Sequence, residues 1–416
     1  MKRVKSNLGK NYQKLVTANC INRFGDAIDA IALTWLVYAV TGSAFWSAVY
    51  YACNQLPSVL IQPFAGAIVE TRNKRHVMVL TDIMRGFAVV ILAVLYQFNA
   101  IHPFVTIIFT LFVSTVEAFR VPAGNAFITI IVEDNQYDVA ISKNTSFTTI
   151  SSLLGTAAAG MIIALLGTTT AIIIDAITFF LSAVLLASTK TAEKQSLKEA
   201  SLTLAEQLKH YGAMFVDGLN YAKESTVIKG LIVLVLIFNG MLAPINSLLA
   251  PLISGYYGFG SGALSAFSVA LSIGMSIAGF TFVPLADKVK SPKRMLSIGA
   301  LLLGGVYMLL VSAKYISAKS YFLLVILVLA GAAIGYIVAA NTTMLTVNFM
   351  SKVAKTHIAR IAALYNSVSS ASIPALAFIF GIATKYTSTA AIFSFSAVFC
   401  LIAGLIMFFP KRQRSN

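Results

Sequence analysis

Asn19, Asn22, Arg23, Asp26 and Asp29 fall within an arc of about 120° if their segment is helical, while Ile21, Phe24, Ile28 and Ile31 point elsewhere. Aspartates on one stripe of an otherwise apolar segment can bind and release protons. A charge at mid-membrane costs at least about 2.5–3.5 kcal/mol and normally faces a bundle interior or a wet cavity. Two readings stay open. Arg23 and Asp26 can neutralise each other as a fixed i,i+3 pair, or Asp26 and Asp29 can supply a protonatable carboxyl, since one arginine serves two carboxylates poorly. Spacing does not rank the two aspartates. The same interval recurs at Asp82 with Arg85 and at Glu117 with Arg120, both expected towards helix ends. Asp175, some six residues from the outer end of its apolar segment, reads as structural, capping a neighbouring helix.

The elements that position these residues follow from composition. Of 416 residues, 58% are hydrophobic and 11% charged, against about 25% charged in a soluble domain. That excludes a water-soluble globular protein and a disordered chain. Length and the three cysteines, Cys20, Cys53 and Cys400, exclude a disulfide scaffold. Each cysteine lies in an apolar run as a small hydrophobe, and four scattered histidines suggest no metal site. An all-α membrane protein remains. With about 20 residues per crossing, about twelve spans are expected, at 15–40, 45–69, 76–97, 103–122, 140–166, 169–189, 227–252, 261–286, 295–313, 320–348, 357–381 and 388–409. A polar stretch from Lys190 to about Ser225 splits them into halves at 1–189 and 227–416. Within the linker at 190–226, Leu204, Leu208, Met214, Phe215 and Leu219 suggest an amphipathic surface helix.

The net charge of +16 reports sidedness. Alternate loops carry 24 lysines and arginines, and the opposite loops carry only Lys314, Lys319 and Lys385. The positive-inside rule puts both termini and the central loop in the cytoplasm, with the protein expected in the plasma membrane, the inner or cell membrane of a bacterium. A nucleic-acid partner has no support.

Gly66, Glu70, Lys74 and Arg75 close the second span, and Asp287, Lys293 and Arg294 close the eighth in a looser copy of the same pattern. Parallel repeats of six helices produce such echoes. The Gly66-to-Arg75 pattern resembles the loop signature of the major facilitator superfamily, departing from it at Thr71 and Asn73. Phe24-Gly25-Asp26, Asp82 to Arg85, Phe119-Arg120-Val121-Pro122 and Ile174-Asp175-Ala176 are similar to the branch holding macrolide-efflux proteins and the enterobactin exporter. The fifth span reads Gly155 to Gly160 without the proline frequent in exporters. The resemblance implies two pseudo-symmetric six-helix halves and alternating access. It implies a cytoplasmic gate drawn from Gly66, Glu70, Lys74, Arg75, Asp82, Arg85, Glu117, Arg120 and Asp287. For the Asp82 and Glu117 pairs, static neutralisation is the competing reading.

The expected function is proton-coupled efflux of a lipophilic or amphiphilic compound, macrolide-like or multidrug. Arg23, Asn22, Asp26 and Asp29 would form the coupling site and substrate cavity. Export of a native metabolite such as a siderophore is the alternative, and a polytopic membrane enzyme the alternative from another class. Partners are a small molecule, protons and the bilayer. A monomer is expected. No nucleotide cofactor is implied, because the chain has no phosphate-binding glycine loop.

Overall fold

A computed structural model describes residues 8–133, 136–190, 226–282, 292–316, 320–352 and 358–409, and every regular element among them is helical. The first half holds α1 (Gly9–Thr41), α2 (Ala44–Leu60), α3 (Gln62–Glu70), α4 (Lys74–Gln97), α5 (Pro103–Ile131), α6 (Tyr137–Leu166) and α7 (Thr168–Ala187). The second holds α8 (Thr226–Ala250), α9 (Ser261–Thr281), α10 (Pro292–Ile316), α11 (Ser320–Lys352), α12 (Ile358–Ala383) and α13 (Thr389–Phe408). A π-helical turn, Pro251–Tyr256, prolongs α8.

Among the described residues, ten helices are long and apolar enough to cross a membrane. The two further spans expected are the α2–α3 pair and α12, whose apolar described part is Val368–Ala383. The second span breaks at Ile61 because Pro63 follows at the start of α3. Proline lacks the N–H that would continue the ladder and crowds the carbonyl one turn back. By contrast α5 runs through Pro122 to Ile131, well beyond the expected end at 122. Prolines within membrane helices are tolerated where neighbouring groups satisfy the freed carbonyl. The proposed amphipathic helix at 204–219 lies outside the described residues.

The chain divides into two compact units, Met1–Gly42 with Cys53–Gly212, and Ser43–Ala52 with Ala213–Asn416. In the first, α1 packs on α6 and α7, α4 on α5 and α7, and α3 on α5. The second repeats the scheme: α8 packs on α12 and α13, α10 on α11 and α13, and α9 on α11. These are the same pairings by position in the six-helix order, so the repeat suggested by two loops extends to the helices. Their exteriors are apolar. Phe98, Leu165, Phe280 and Ile406 are each at least 70% exposed, the pattern of a surface solvated by lipid chains.

Helix pairs approach closely where glycine removes a side chain. A Cβ at Gly155 would overlap the Phe24 carbonyl on α1 and come within 3.0 Å of the Ala27 Cβ. Between α9 and α11, a Cβ at Gly274 would overlap the Ala332 carbonyl, and one at Gly335 the Leu271 carbonyl. Backbone cannot yield as a flexible side chain can. Gly274→Ala and Gly335→Ala are therefore expected to destabilise the second unit by about 1–3 kcal/mol each, the usual cost of overpacking. Gly279→Ala and Gly305→Ala, which meet nothing within 4 Å, serve as controls. Thermal midpoints in detergent check this: equal midpoints for all four variants would mean the helices can separate without loss.

Candidate functional site

The α1 stripe faces the interior of the first unit, but its members have different partners. Arg23 Nη1 reaches Asp26 Oδ2 at 3.1 Å and Glu117 Oε1 at 3.3 Å. The other Asp26 oxygen, Oδ1, accepts from Arg85 Nη2 at 2.7 Å. Arg85 Nη2 also lies 3.8 Å from Glu117 Oε2. Asn22 is almost fully buried and donates to Asp82 Oδ1 at 3.3 Å. Asp29 Oδ1 is buried without a hydrogen-bond partner.

Two expected pairs are corrected. Asp82 does not pair with Arg85, nor Glu117 with Arg120; the partners are exchanged between helices. Arg120 Nε donates to Asp82 Oδ1 at 2.5 Å and its Nη2 to Oδ2 at 3.4 Å. Ser182 Oγ donates to Asp82 Oδ2 at 2.6 Å. Arg120 Nη2 also reaches Asn19 Oδ1, at 3.4 Å. Helices α1, α4, α5 and α7 thus converge on one carboxylate with 0% exposure. Asp82 lies two turns inside α4, not at its end. An i,i+3 spacing gives two side chains a common face, and here that face meets other helices that carry the better-placed partners.

Asp175, expected as a cap, is fully buried against α1 instead. Its approach is made possible by Gly25: a Cβ there would overlap Thr178 Oγ1 and stand 2.5 Å from Asp175 Oδ1. Thr178 Oγ1 donates to that same oxygen at 3.4 Å and to the Asp175 carbonyl at 2.7 Å. Asp175 Oδ2 has no hydrogen-bond partner. Asp29 follows Gly25 by four residues, one turn further along the same face of α1. Arg85 lies 4.2 Å from the Phe179 ring centroid, with Nε and Nη1 buried and unbonded. A cation over an aromatic face is partly compensated by the ring quadrupole. Sequence reasoning missed Asp175 as a member of the cluster. The available signal was the count of charges, five acids against three arginines.

In the loop motif, Arg75 turns to the end of α7 beside two polar side chains of α1. Arg75 Nη1 donates to Thr189 O at 2.7 Å, Lys14 Nζ to Ser188 O at 2.7 Å and Asn11 Nδ2 to Lys190 O at 2.5 Å. Three side chains thereby satisfy carbonyls just past the C-terminal end of α7, where positive charge also complements the helix dipole. Lys74 opens α4 after an Asn73 cap whose side chain accepts from His76 N at 2.9 Å. Gly66 lies in α3 with nothing within 4 Å of a Cβ. The Glu70 side chain and Asp287 lie outside the described residues.

The second unit contributes amides and hydroxyls. Gly299 follows Asp287 at the same interval, twelve residues, as Asp82 follows Glu70. A Cβ at Gly299 would overlap the side-chain amide of Asn341 on α11. Where the first unit joins α4 to α5 through an ion pair, the second joins α10 to α11 through a glycine and an asparagine. Asn239 on α8 donates to Ser372 Oγ at 2.7 Å and Ser369 O at 3.0 Å on α12. Two of the three lysines expected outside also have local roles. Lys314 Nζ donates to Tyr256 O at 2.7 Å, and Lys385 Nζ lies 4.0 Å from the Phe45 ring centroid.

Two six-helix units of parallel design, with charges buried inside one of them, define a polytopic membrane transporter of the major facilitator type. The chain belongs to the transmembrane secretion effector family, whose model matches residues 8–415. It is 27% identical over 162 residues to the staphyloferrin A transporter of Staphylococcus aureus, covering 39% of this chain and 41% of that protein. It is 26% identical over 236 residues to the multidrug efflux pump Tap of Mycolicibacterium fortuitum, covering 55% of this chain and 56% of that one. The matches thus span about half the length of these relatives. Among solved structures, the nucleoside transporter NupG superposes with a TM-score of 0.76 at 12% identity, covering 97% of this chain and all of that one. A bacterial homologue of the iron transporter ferroportin superposes with a TM-score of 0.70 at 15% identity, covering 96% and 97%. At such identities the likeness shows the fold alone.

Proposed function

We propose that the protein is a proton-coupled exporter of a lipophilic or amphiphilic small molecule, working by alternating access. The observation that carries this reading is Asp29, a membrane-buried aspartate with one oxygen unpartnered while each nearby arginine is engaged elsewhere. A carboxyl so placed is stable as the neutral acid, because an isolated buried anion is costly. When the proton leaves, the spare N–H groups of Arg85 are available to the new carboxylate. That charge exchange weakens the hold of Arg85 on Asp26 and Glu117. Asp26 is the paired member and Asp29 the titrating one. Arg23 and Glu117 form the loose, exchangeable part of the cluster, their side chains 40% and 31% exposed. Asp82, Arg120 and Asn22 serve as fixed scaffold. Glu117, with Gly66, Glu70, Lys74, Arg75 and Asp287, is the remaining candidate for a gate.

The relatives favour two substrate classes, a multidrug efflux cargo and a siderophore. Expression in an efflux-deficient bacterium separates them. Raised tolerance to erythromycin or ethidium supports the drug exporter, and secretion of staphyloferrin A supplied inside the cell supports the siderophore exporter. Neither effect, with the protein present in the membrane, would reject export of both classes.

Both termini are assigned to the cytoplasm on the 24-to-3 bias in basic residues. On a background without Cys20, Cys53 and Cys400, Tyr315→Cys should react with an impermeant thiol reagent in intact cells. Arg72→Cys should react only after the membrane is opened. The reverse pattern would invert the topology.

A further inference from the structure

We propose that Asp175 on α7 is a second proton-binding carboxyl, acting with Asp29 across the α1–α7 contact, so that two protons are held in this half of the protein. The inference rests on the proton-coupled reading for its role in transport, and on geometry for the site itself. Asp175 has 0% exposure, and its Oδ2 has no hydrogen-bond partner. The notch at Gly25 admits its side chain against α1, and Asp29 occupies the next turn of the same face.

Charge accounting points the same way. Asp26, Asp29, Asp82, Glu117 and Asp175 face Arg23, Arg85 and Arg120. Arg120 is bound to Asp82, Arg85 to Asp26, and Arg23 to Asp26 and Glu117. Two carboxyls are left over, and they are the two with an unpartnered buried oxygen. The charged groups in electrostatic reach of Asp175 are Asp29 and Asp26 on α1 and Arg85 on α4. The third helix packed against α7 is α6, whose charged residues, Asp138 and Lys143, lie in its first two turns, far along the helix from Gly155, where it meets α1. Two acids and one already engaged arginine thus surround Asp175. Two neighbouring carboxyls that share one cation titrate as a pair. In the loaded state each holds a proton. Release of one leaves a carboxylate that can accept a hydrogen bond from the remaining acid, and release of the second requires the N–H groups of Arg85.

Infrared difference spectroscopy of the full-length protein in lipid, taken between acid and alkaline pH, reads the carboxylic-acid C=O band directly and needs no substrate. The wild type should show contributions from two buried acids. Asp29→Asn and Asp175→Asn should each remove one, and the double variant both. Thr178→Val, nearly isosteric, removes the hydroxyl that donates to Asp175 and should move one band to higher frequency while leaving the Asp29 contribution in place. If Asp175→Asn proves unstable, this shift alone decides. Unchanged bands in Asp175→Asn and Thr178→Val would overturn the assignment. Gradient-driven transport of the same variants separates this from the coupling proposal. Transport retained by Asp29→Asn with both bands assigned would reject coupling and leave the Asp175 site standing. Transport lost in Asp29→Asn with no Asp175 band would do the opposite.

Discussion

Asp29→Asn is expected to abolish accumulation of substrate against a gradient while leaving exchange down a gradient within a few-fold of wild type. Asparagine keeps the size and polarity of the side chain but cannot deliver a proton. Each charge moved across 100 mV contributes about 2.3 kcal/mol to the driving force, roughly a 50-fold concentration ratio, and the variant should lose all of it. Asp26→Asn should behave differently. Its carboxylate holds Arg23 and Arg85 at 3.1 and 2.7 Å, so its removal leaves two cations under-compensated and should weaken exchange as well as accumulation. Proteoliposomes assayed in both modes check the split. Full accumulation by Asp29→Asn would return Asp26 or Glu117 to consideration.

The second large effect is structural. Asp82→Asn removes the charge that compensates Arg120 at a carboxylate with three polar partners on three other helices. Breaking one side of a buried pair typically costs about 3–5 kcal/mol, because the remaining ion is uncompensated. The thermal midpoint in detergent should fall sharply. Asp82→Asn combined with Arg120→Met should recover much of the loss, since removing both ions leaves none stranded. A double variant no better than the single one would mean that the stability resides in Ser182 and Asn19 rather than in the charges. The exchange of Asp82 from gate to scaffold rests on this outcome.

How far the sequence spoke depended on the kind of question. Helices were legible because apolar runs of bilayer length leave few alternatives. The broken second span carried its cause in Pro63, and α5 passed Pro122 because the signal to stop is weaker in a bundle than in water. The polar face of α1 was legible from the 3.6-residue period. Pairing was not. Asp82 and Arg85 share a face by spacing, yet the side chains that meet them come from α1, α5 and α7, and no periodicity within α4 encodes that. Asp175 was misread because depth was judged along its own helix; its environment is set by the missing side chain of Gly25 on another. The halves also differ more than their loops suggested. Gly299 stands where the repeat places a counterpart of Asp82, and none of the residues after Asp287 is acidic. The first unit therefore contains every intramembrane carboxyl the sequence offers for coupling.

On the proposed mechanism, movement of substrate is tied to movement of protons through Asp29. This coupling is tested most directly by the lumenal pH of proteoliposomes carrying a trapped pH dye. A substrate found in the export panel is applied on one side, with no imposed pH or sodium gradient. Substrate flowing down its gradient should drive protons the opposite way through the wild type, and Asp29→Asn should carry substrate with no pH change. Substrate transport by the wild type at constant lumenal pH, or a response that requires sodium, would contradict it.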